Sequence, residues 1–155
     1  MVGLENGTVR LTPYTIIWKQ LFDEEKSRLQ AAVGKYVLDI QHVGSTSIPG
    51  MVVKPIIDIA IAVNNFKEAC VCIKPIEQLG YEYMGEYGIP RRHFFIKGNP
   101  RTHHIHMNEL GGRDWNDQLI FRNYLTQRQE YAKEYAELKM ELARQYPPDR
   151  QGIPG

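Results

Sequence analysis

The segment IIDIAIAV, residues 56–63, constrains the fold of this chain more than any other stretch, because it combines an apolar strand pattern with one carboxylate at its centre. Its isoleucines and valine favour an extended backbone, and a near-continuous apolar run of this length belongs to a strand covered on both faces. A period of two sets Ile57, Ile59, Ile61 and Val63 on one side, and Ile56, Asp58, Ala60 and Ala62 on the other. The second side is small beside Asp58. Desolvating a carboxylate costs several kcal/mol unless a cation or hydrogen-bond donors receive it. A structural ion pair with Lys54 or an arginine is one solution. A divalent-metal ligand or a catalytic base is the other, and an aspartate amid an otherwise apolar strand favours it.

The remaining pattern surrounds this strand with helices and further strands. Apolar positions Trp18, Leu21, Phe22, Leu29, Ala32 and Val33 predict an amphipathic helix over residues 15–33, between Pro13 and Gly34. Residues 36–43 read as a strand that enters the loop GSTSIPG, residues 44–50. Phe66, Ala69, Cys70, Ile73, Ile76 and Leu79 recur at helical spacing, with Pro75 expected to kink or restart the helix and Gly80 to end it. Strands are expected at residues 81–84, 93–97 and 103–108. A helix capped by Asp114 follows to about Leu125, and a stripe of Tyr131, Tyr135, Leu138, Leu142 and Tyr146 continues until Pro147-Pro148. The expectation is one α+β domain over residues 1–155, with a sheet of about five strands covered on one side by helices.

Three clusters join Asp58 as candidates. The GSTSIPG loop offers backbone N–H groups, hydroxyls on Ser45, Thr46 and Ser47, and glycines such as Gly44 that permit close approach, all of which suit a phosphate. A plain turn is the competing reading, but the loop leads directly to the acid-bearing strand, and Lys54 adds positive charge nearby. His103, His104 and His106 account for three of the five histidines. Alternation puts His104 and His106 on one face, able to ligate a metal or donate to phosphate, against the alternative of a polar strand face. His42 is a possible addition to that site. Of Arg91 and Arg92, only one can face a given site, and Arg92 is favoured through its shared face with Phe94 and Ile96. The charged segment TQRQEYAKEYAELKMELARQY reads as a solvated helix face and is assigned no chemistry.

Composition narrows the classes of partner. The chain has 155 residues, 43% hydrophobic, and its 19 Lys and Arg nearly cancel its 18 Asp and Glu, for a formal charge of +1. Such a balance argues against holding a long nucleic acid by bulk electrostatics. A chain of this length buries a core without metal or disulfide. The two cysteines, Cys70 and Cys72, lie on different faces of the expected helix and cannot bridge each other, which argues against disulfide and zinc-finger scaffolds. No signal-peptide pattern and no membrane-spanning run are evident, so a cytoplasmic setting is expected.

The motif HVGSTSIPGMVVKPIIDIAIAV resembles the GrpB family, which is placed in the nucleotidyltransferase superfamily of the DNA polymerase β type. The likeness continues in LGYEYMGEYGIPRRHFFIKG, in RTHHIHM and in LIFRNYLTQRQEYAKEYAELKMELA, while the QGIPG tail departs from it. The resemblance implies a nucleotidyltransferase-like mixed sheet. In catalytic members of the superfamily a Gly-Ser pair cradles nucleotide phosphates and two carboxylates, one residue apart, hold divalent ions. Gly44 and Ser45 match the first feature and Asp58 the first carboxylate. The second position is Ala60, which binds no metal, and a later-strand carboxylate has His104 and His106 as its nearest counterparts.

These readings together lead to an expected site. Gly44, Ser45, Thr46, Lys54 and Arg92 are the phosphate-binding candidates. Asp58, His104 and His106 are the metal-binding and catalytic candidates. The expected partner is a nucleotide or another phosphorylated small molecule, and the expected cofactor is a divalent metal: magnesium, manganese or zinc. Nucleotidyl transfer, noncatalytic ligand binding and metal-dependent phosphate-ester hydrolysis all remain open at this point.

Overall fold

A computed structural model describes residues 11–145. Helix α1 (Ile17–Val33) is followed by strands β1 (Asp39–Val43) and β2 (Ile57–Val63), short helix α2 (Ile73–Glu77), strands β3 (Tyr81–Tyr83), β4 (His93–Lys97) and β5 (His103–Glu109), and helices α3 (Arg113–Gln127) and α4 (Gln129–Gln145). The strands form one five-stranded sheet in the order β1-β2-β5-β4-β3. Only β2 and β5 run parallel; the other pairs are antiparallel. The fold is therefore α+β, as the residue pattern predicts, with the mixed sheet that the family resemblance implies.

The parallel pairing brings together the parts of the chain with chemical side chains. Its register sets Asp58 beside His104 and Ala60 beside His106. With the pleat alternating, Asp58, His104 and His106 share one face, and Ile57, Ile59, Ile61, Ile105 and Met107 share the other. The aliphatic face packs with Trp18, Phe22, Leu29 and Val33 of α1 and Ile76 of α2 into the main core. Each fully buried aliphatic side chain contributes about 1.5–3 kcal/mol of transfer free energy. On the opposite face Trp115 of α3 packs over Val43, Ala60 and Ala62 in a smaller cluster. Helices thus lie on both faces, not on one. The small residues at positions 60 and 62 leave room for an indole, which is why α3 can seat there.

Other elements depart from the expected boundaries for local reasons. Residues Gly34–Tyr36 form a 3-10 turn in place of the start of β1: Gly34 keeps a right-handed helical backbone, and its N–H bonds the Gln30 carbonyl, so the helix tightens before it stops. The predicted helix after Phe66 is divided into a 3-10 turn at Glu68–Cys72 and α2. Pro75 falls in the first turn of α2, where its missing N–H leaves no helical bond unmade. Cys70 is exposed and Cys72 buried, and both are free thiols. Gly112, not Asp114, is the N-cap residue of α3; Asp114 lies in the first turn, where its charge favours the helix dipole. In α4 the buried positions are Ala132, Ala136 and Lys139, while Tyr131 and Leu138 are exposed. The packing surface of α4 is its small-residue face, because alanines allow close approach. Tyr146, Pro147, Pro148 and the tail lie outside the described residues.

Candidate functional site

Asp58 stands at the start of β2, held against the loop that leaves β1. Gly44 has a φ of +72° and a ψ of −177°, a backbone region open essentially to glycine alone. A Cβ added there would lie 2.5 Å from Asp58 Oδ2 and 2.9 Å from Asp58 Cβ. The space that Gly44 leaves is thus filled by the carboxylate itself, so this glycine seats Asp58. Ser45 follows in a short 3-10 turn and lines the cleft in front of the carboxylate. Thr46 turns away: its side chain is buried and its hydroxyl donates to the Ile56 carbonyl at 3.2 Å. Ser47 likewise donates to the Gly44 carbonyl.

Two imidazoles meet Asp58 from β5. His106 Nε2 lies 3.0 Å from Asp58 Oδ1, and His104 Nδ1 lies 3.6 Å from the same oxygen. Asp58 is 25% exposed at its side chain, His104 17% and His106 15%. Burial works to raise the Asp58 pKa, but the imidazole donors of His104 and His106 outweigh it and hold the carboxyl well below the usual range. Phe94 of β4 packs edge-on to His104 and tilted against His106, fixing both rings. Histidines thus meet the Asp58 carboxylate directly. Lys54 lines the same cleft.

Arg92 sits behind His106. It is 6% exposed, its guanidinium lies 4.3 Å from the centre of the Phe94 ring, and its Nη1 is 3.3 Å from His106 Nδ1. Arg92 does not line the cleft, and Arg91 turns outward to Glu109. His42 belongs to the other face of the sheet. It stacks on Phe22 at 4.7 Å, its Nε2 meets the Thr46 hydroxyl at 3.0 Å, and burial pushes its pKa down to about 4. Alternation along β1 puts His42 with Ile40, away from Asp58. His103 also faces away, beside Tyr81.

The cleft has a volume of about 570 Å³, within the usual range for small-molecule sites. Its lining includes three groups that sequence reasoning passed over. Arg101, in the turn before β5, adds a cation, and Tyr87, Phe94, Phe121 and Tyr135 supply aromatic walls. Lys139 reaches in from α4, the helix expected to carry no chemistry. It is 5% exposed, with its ammonium 5.6 Å from the centre of the Tyr135 ring. Burial, helped by the charge of Lys54 and opposed by Asp58, pushes Lys139 down to about 8. One signal was available in the sequence: Lys139 follows Ala132 and Ala136 at helical spacing and so lies on the alanine face.

Asp58, His104 and His106 each bring one ligand atom within 4.8 Å of the others, the only such group of three or more among the described residues to include two histidines. The His104 Nε2, across the ring from the Nδ1 that meets Asp58, is buried without a hydrogen-bond partner. The carboxylate and imidazoles of this group are a donor set that fits a divalent ion. Ala60, fully buried under Trp115, offers no second carboxylate.

The family model for the GrpB protein matches residues 8–152. The chain belongs to the GrpB family. Among its relatives, the UPF0157 protein YqkA of Bacillus subtilis is 44% identical over 140 residues, covering 90% of this chain but 41% of YqkA. The glutamate-rich protein GrpB of Alkalihalophilus pseudofirmus is 37% identical over 155 residues, covering 96% of this chain and 89% of its own length. The crystal structure of conserved protein GrpB from Enterococcus faecalis superposes with a TM-score of 0.84 at 36% identity, covering 89% of this chain and 85% of that one. The chain thus spans about two fifths of one relative and nearly nine tenths of another. Among the described residues no helix is long and apolar enough to cross a membrane.

Proposed function

We propose that this GrpB-family chain, as a single nucleotidyltransferase-like domain in the cytoplasm, binds a phosphorylated small molecule in the cleft beside Asp58, nucleotides being the leading class. The observation that carries this reading is the convergence of Lys54, Arg101 and Lys139 on one cleft whose walls are aromatic. The cations suit phosphate oxygens and the rings suit a planar base. Ser45 lines the same cleft, and its hydroxyl with the surrounding backbone N–H groups would orient the anionic end. Asp58, supported by its histidines, is the residue that would hold magnesium, manganese or zinc. A divalent ion bound there would polarise a phosphoryl oxygen and offset its charge.

Ala60 favours binding without nucleotidyl transfer. A two-metal reaction clamps the attacking and leaving oxygens together, and a site with one carboxylate has lost a bridging ligand. Hydrolysis of a phosphate ester, with a histidine moving the proton, is the catalytic alternative that this residue set permits. Calorimetric titration with nucleoside triphosphates, nucleoside monophosphates and inorganic phosphate, each with and without manganese, tests the reading. Saturable binding that weakens at least tenfold in Asp58→Asn or Lys139→Met supports it. Absence of binding to every phosphorylated compound overturns it. Release of pyrophosphate or phosphate during the titration would separate the enzyme from the binding module.

A further inference from the structure

His106 stands between two groups with opposite demands. Its Nε2 is 3.0 Å from Asp58 Oδ1, and its Nδ1 is 3.3 Å from Arg92 Nη1. A guanidinium carries donors only, so Nδ1 must accept. A neutral imidazole has one proton, and with Nδ1 accepting, that proton sits on Nε2 and is donated to Asp58. A metal ion needs a nitrogen lone pair. In this tautomer Nε2 has none to offer, and the lone pair of Nδ1 points at a cation. Histidines that ligate metals normally give their second N–H to a carboxylate or carbonyl; Arg92 is the reverse of such a partner.

Arg92 is anchored well enough to impose this. It is buried, its plane covers Phe94, Nε donates to the Glu86 carbonyl at 3.3 Å, and Nη2 donates to the Tyr87 carbonyl at 3.1 Å. His104 lacks such an anchor: its Nδ1 lies 3.6 Å from Asp58 Oδ1 and its Nε2 is buried without a partner. No second group fixes which of its nitrogens holds the proton, so Nδ1 can turn its lone pair to an ion beside Asp58.

We propose that Arg92 locks His106 as an Nε2–H donor to Asp58 and thereby withholds it from any metal, leaving Asp58 and His104 as the protein's ligands. Arg92 is then a positioning residue, acting through His106 on the carboxylate. One carboxylate and one imidazole leave most of an ion's shell to water and phosphate oxygens, an arrangement open to manganese and poor for magnesium, which takes oxygen ligands throughout. Zinc, which favours three protein ligands, is disfavoured by the wild-type arrangement. In Arg92→Gln the side-chain carbonyl can accept from Nδ1–H, freeing Nε2 to ligate. The inference shares Asp58 with the proposed phosphate cleft, but its test uses no phosphorylated compound, so the two fail separately.

The first arm is nitrogen-15 NMR of the histidine rings in the metal-free wild-type protein, with His106→Gln used to assign the signal. The expected result is a protonated Nε2 and a bare Nδ1; a protonated Nδ1 with a bare Nε2 overturns the proposal. This arm does not depend on Arg92 variants folding. The second arm titrates zinc alone into wild type, His106→Gln, Arg92→Gln and the Arg92→Gln/His106→Gln double variant. Expected are wild-type and His106→Gln affinities within twofold, at least tenfold tighter binding by Arg92→Gln, and loss of that gain in the double variant. A tenfold loss in His106→Gln, or no gain in Arg92→Gln, overturns the proposal.

Discussion

Replacing Gly44 with alanine tests whether this glycine exists to seat Asp58. The backbone there has φ +72° and ψ −177°, and an added Cβ would lie 2.5 Å from Asp58 Oδ2, 2.9 Å from its Cβ and 3.0 Å from its Cγ. Forcing a non-glycine residue into that region costs about 1–3 kcal/mol, and overpacking a tight contact adds about 1–3 kcal/mol. The sum, about 2–6 kcal/mol, is a large part of the roughly 5–15 kcal/mol that stabilises a domain. Gly85→Ala is the control, because Gly85 also has positive φ, +66°, but nothing lies within 4 Å of an added Cβ. It should cost only the backbone part, about 1–2 kcal/mol. Urea unfolding, read as a shift in midpoint at constant slope, should rank Gly44→Ala well below Gly85→Ala. Combining Gly44→Ala with Asp58→Ala removes Oδ2 and Cγ from the clash, so the pair should be about 1 kcal/mol or more better than additive. Equal costs at the two glycines, together with additivity at the pair, would refute the seating argument.

Three further outcomes follow from buried charges. Glu25 is fully buried and receives Lys97 at 2.8 Å and Arg28 at 2.7 Å, with the Tyr81 hydroxyl as a third donor; Glu25→Gln should cost about 3 kcal/mol at pH 7. Burial opposes but does not overcome those donors, which hold the Glu25 pKa below its ordinary value. The folded state therefore binds fewer protons than the unfolded one, and the advantage over Glu25→Gln should be full above about pH 5 and shrink as pH falls further. His42 and His103 are pushed down to about 4 by burial. Unfolding then takes up protons between pH 6.5 and 4, so stability should fall as pH drops through that window, with a shallower fall in His42→Gln, read by unfolding midpoints at each pH. Lys139→Met removes a buried ammonium, so its midpoint should match or exceed wild type while its affinity for inorganic phosphate or a nucleotide falls at least tenfold in calorimetry; destabilisation with unchanged affinity would assign Lys139 a structural role.

What was legible in the sequence was the set of local patterns. Period two in IIDIAIAV and in HHIH identified β2 and β5, and the same period assigned Asp58, His104 and His106 to definite strand faces. The apolar spacing of α1 was equally plain, since its tryptophan, phenylalanine and leucine recur at helical intervals. The stretch after Phe66 misled, because helical spacing does not distinguish a regular helix from a 3-10 turn followed by a short α-helix. In α4 the tyrosines and leucines drew attention away from the alanine face, although small residues permit the closest helix approach.

The sequence by itself determined which residues had chemistry to offer, because charge, imidazole and strand period are properties of the chain read one residue at a time. Only the tertiary structure decided which of them meet. The parallel register of β2 and β5 sets Asp58 beside His104 across forty-odd residues of intervening chain. The return of α4 adds Lys139 to the same cleft, and the seat of Arg92 against Phe94 gives His106 its hydrogen-bonding direction. Strand pairing and helix packing are contacts between distant segments, and their energies depend on shapes that no local pattern records.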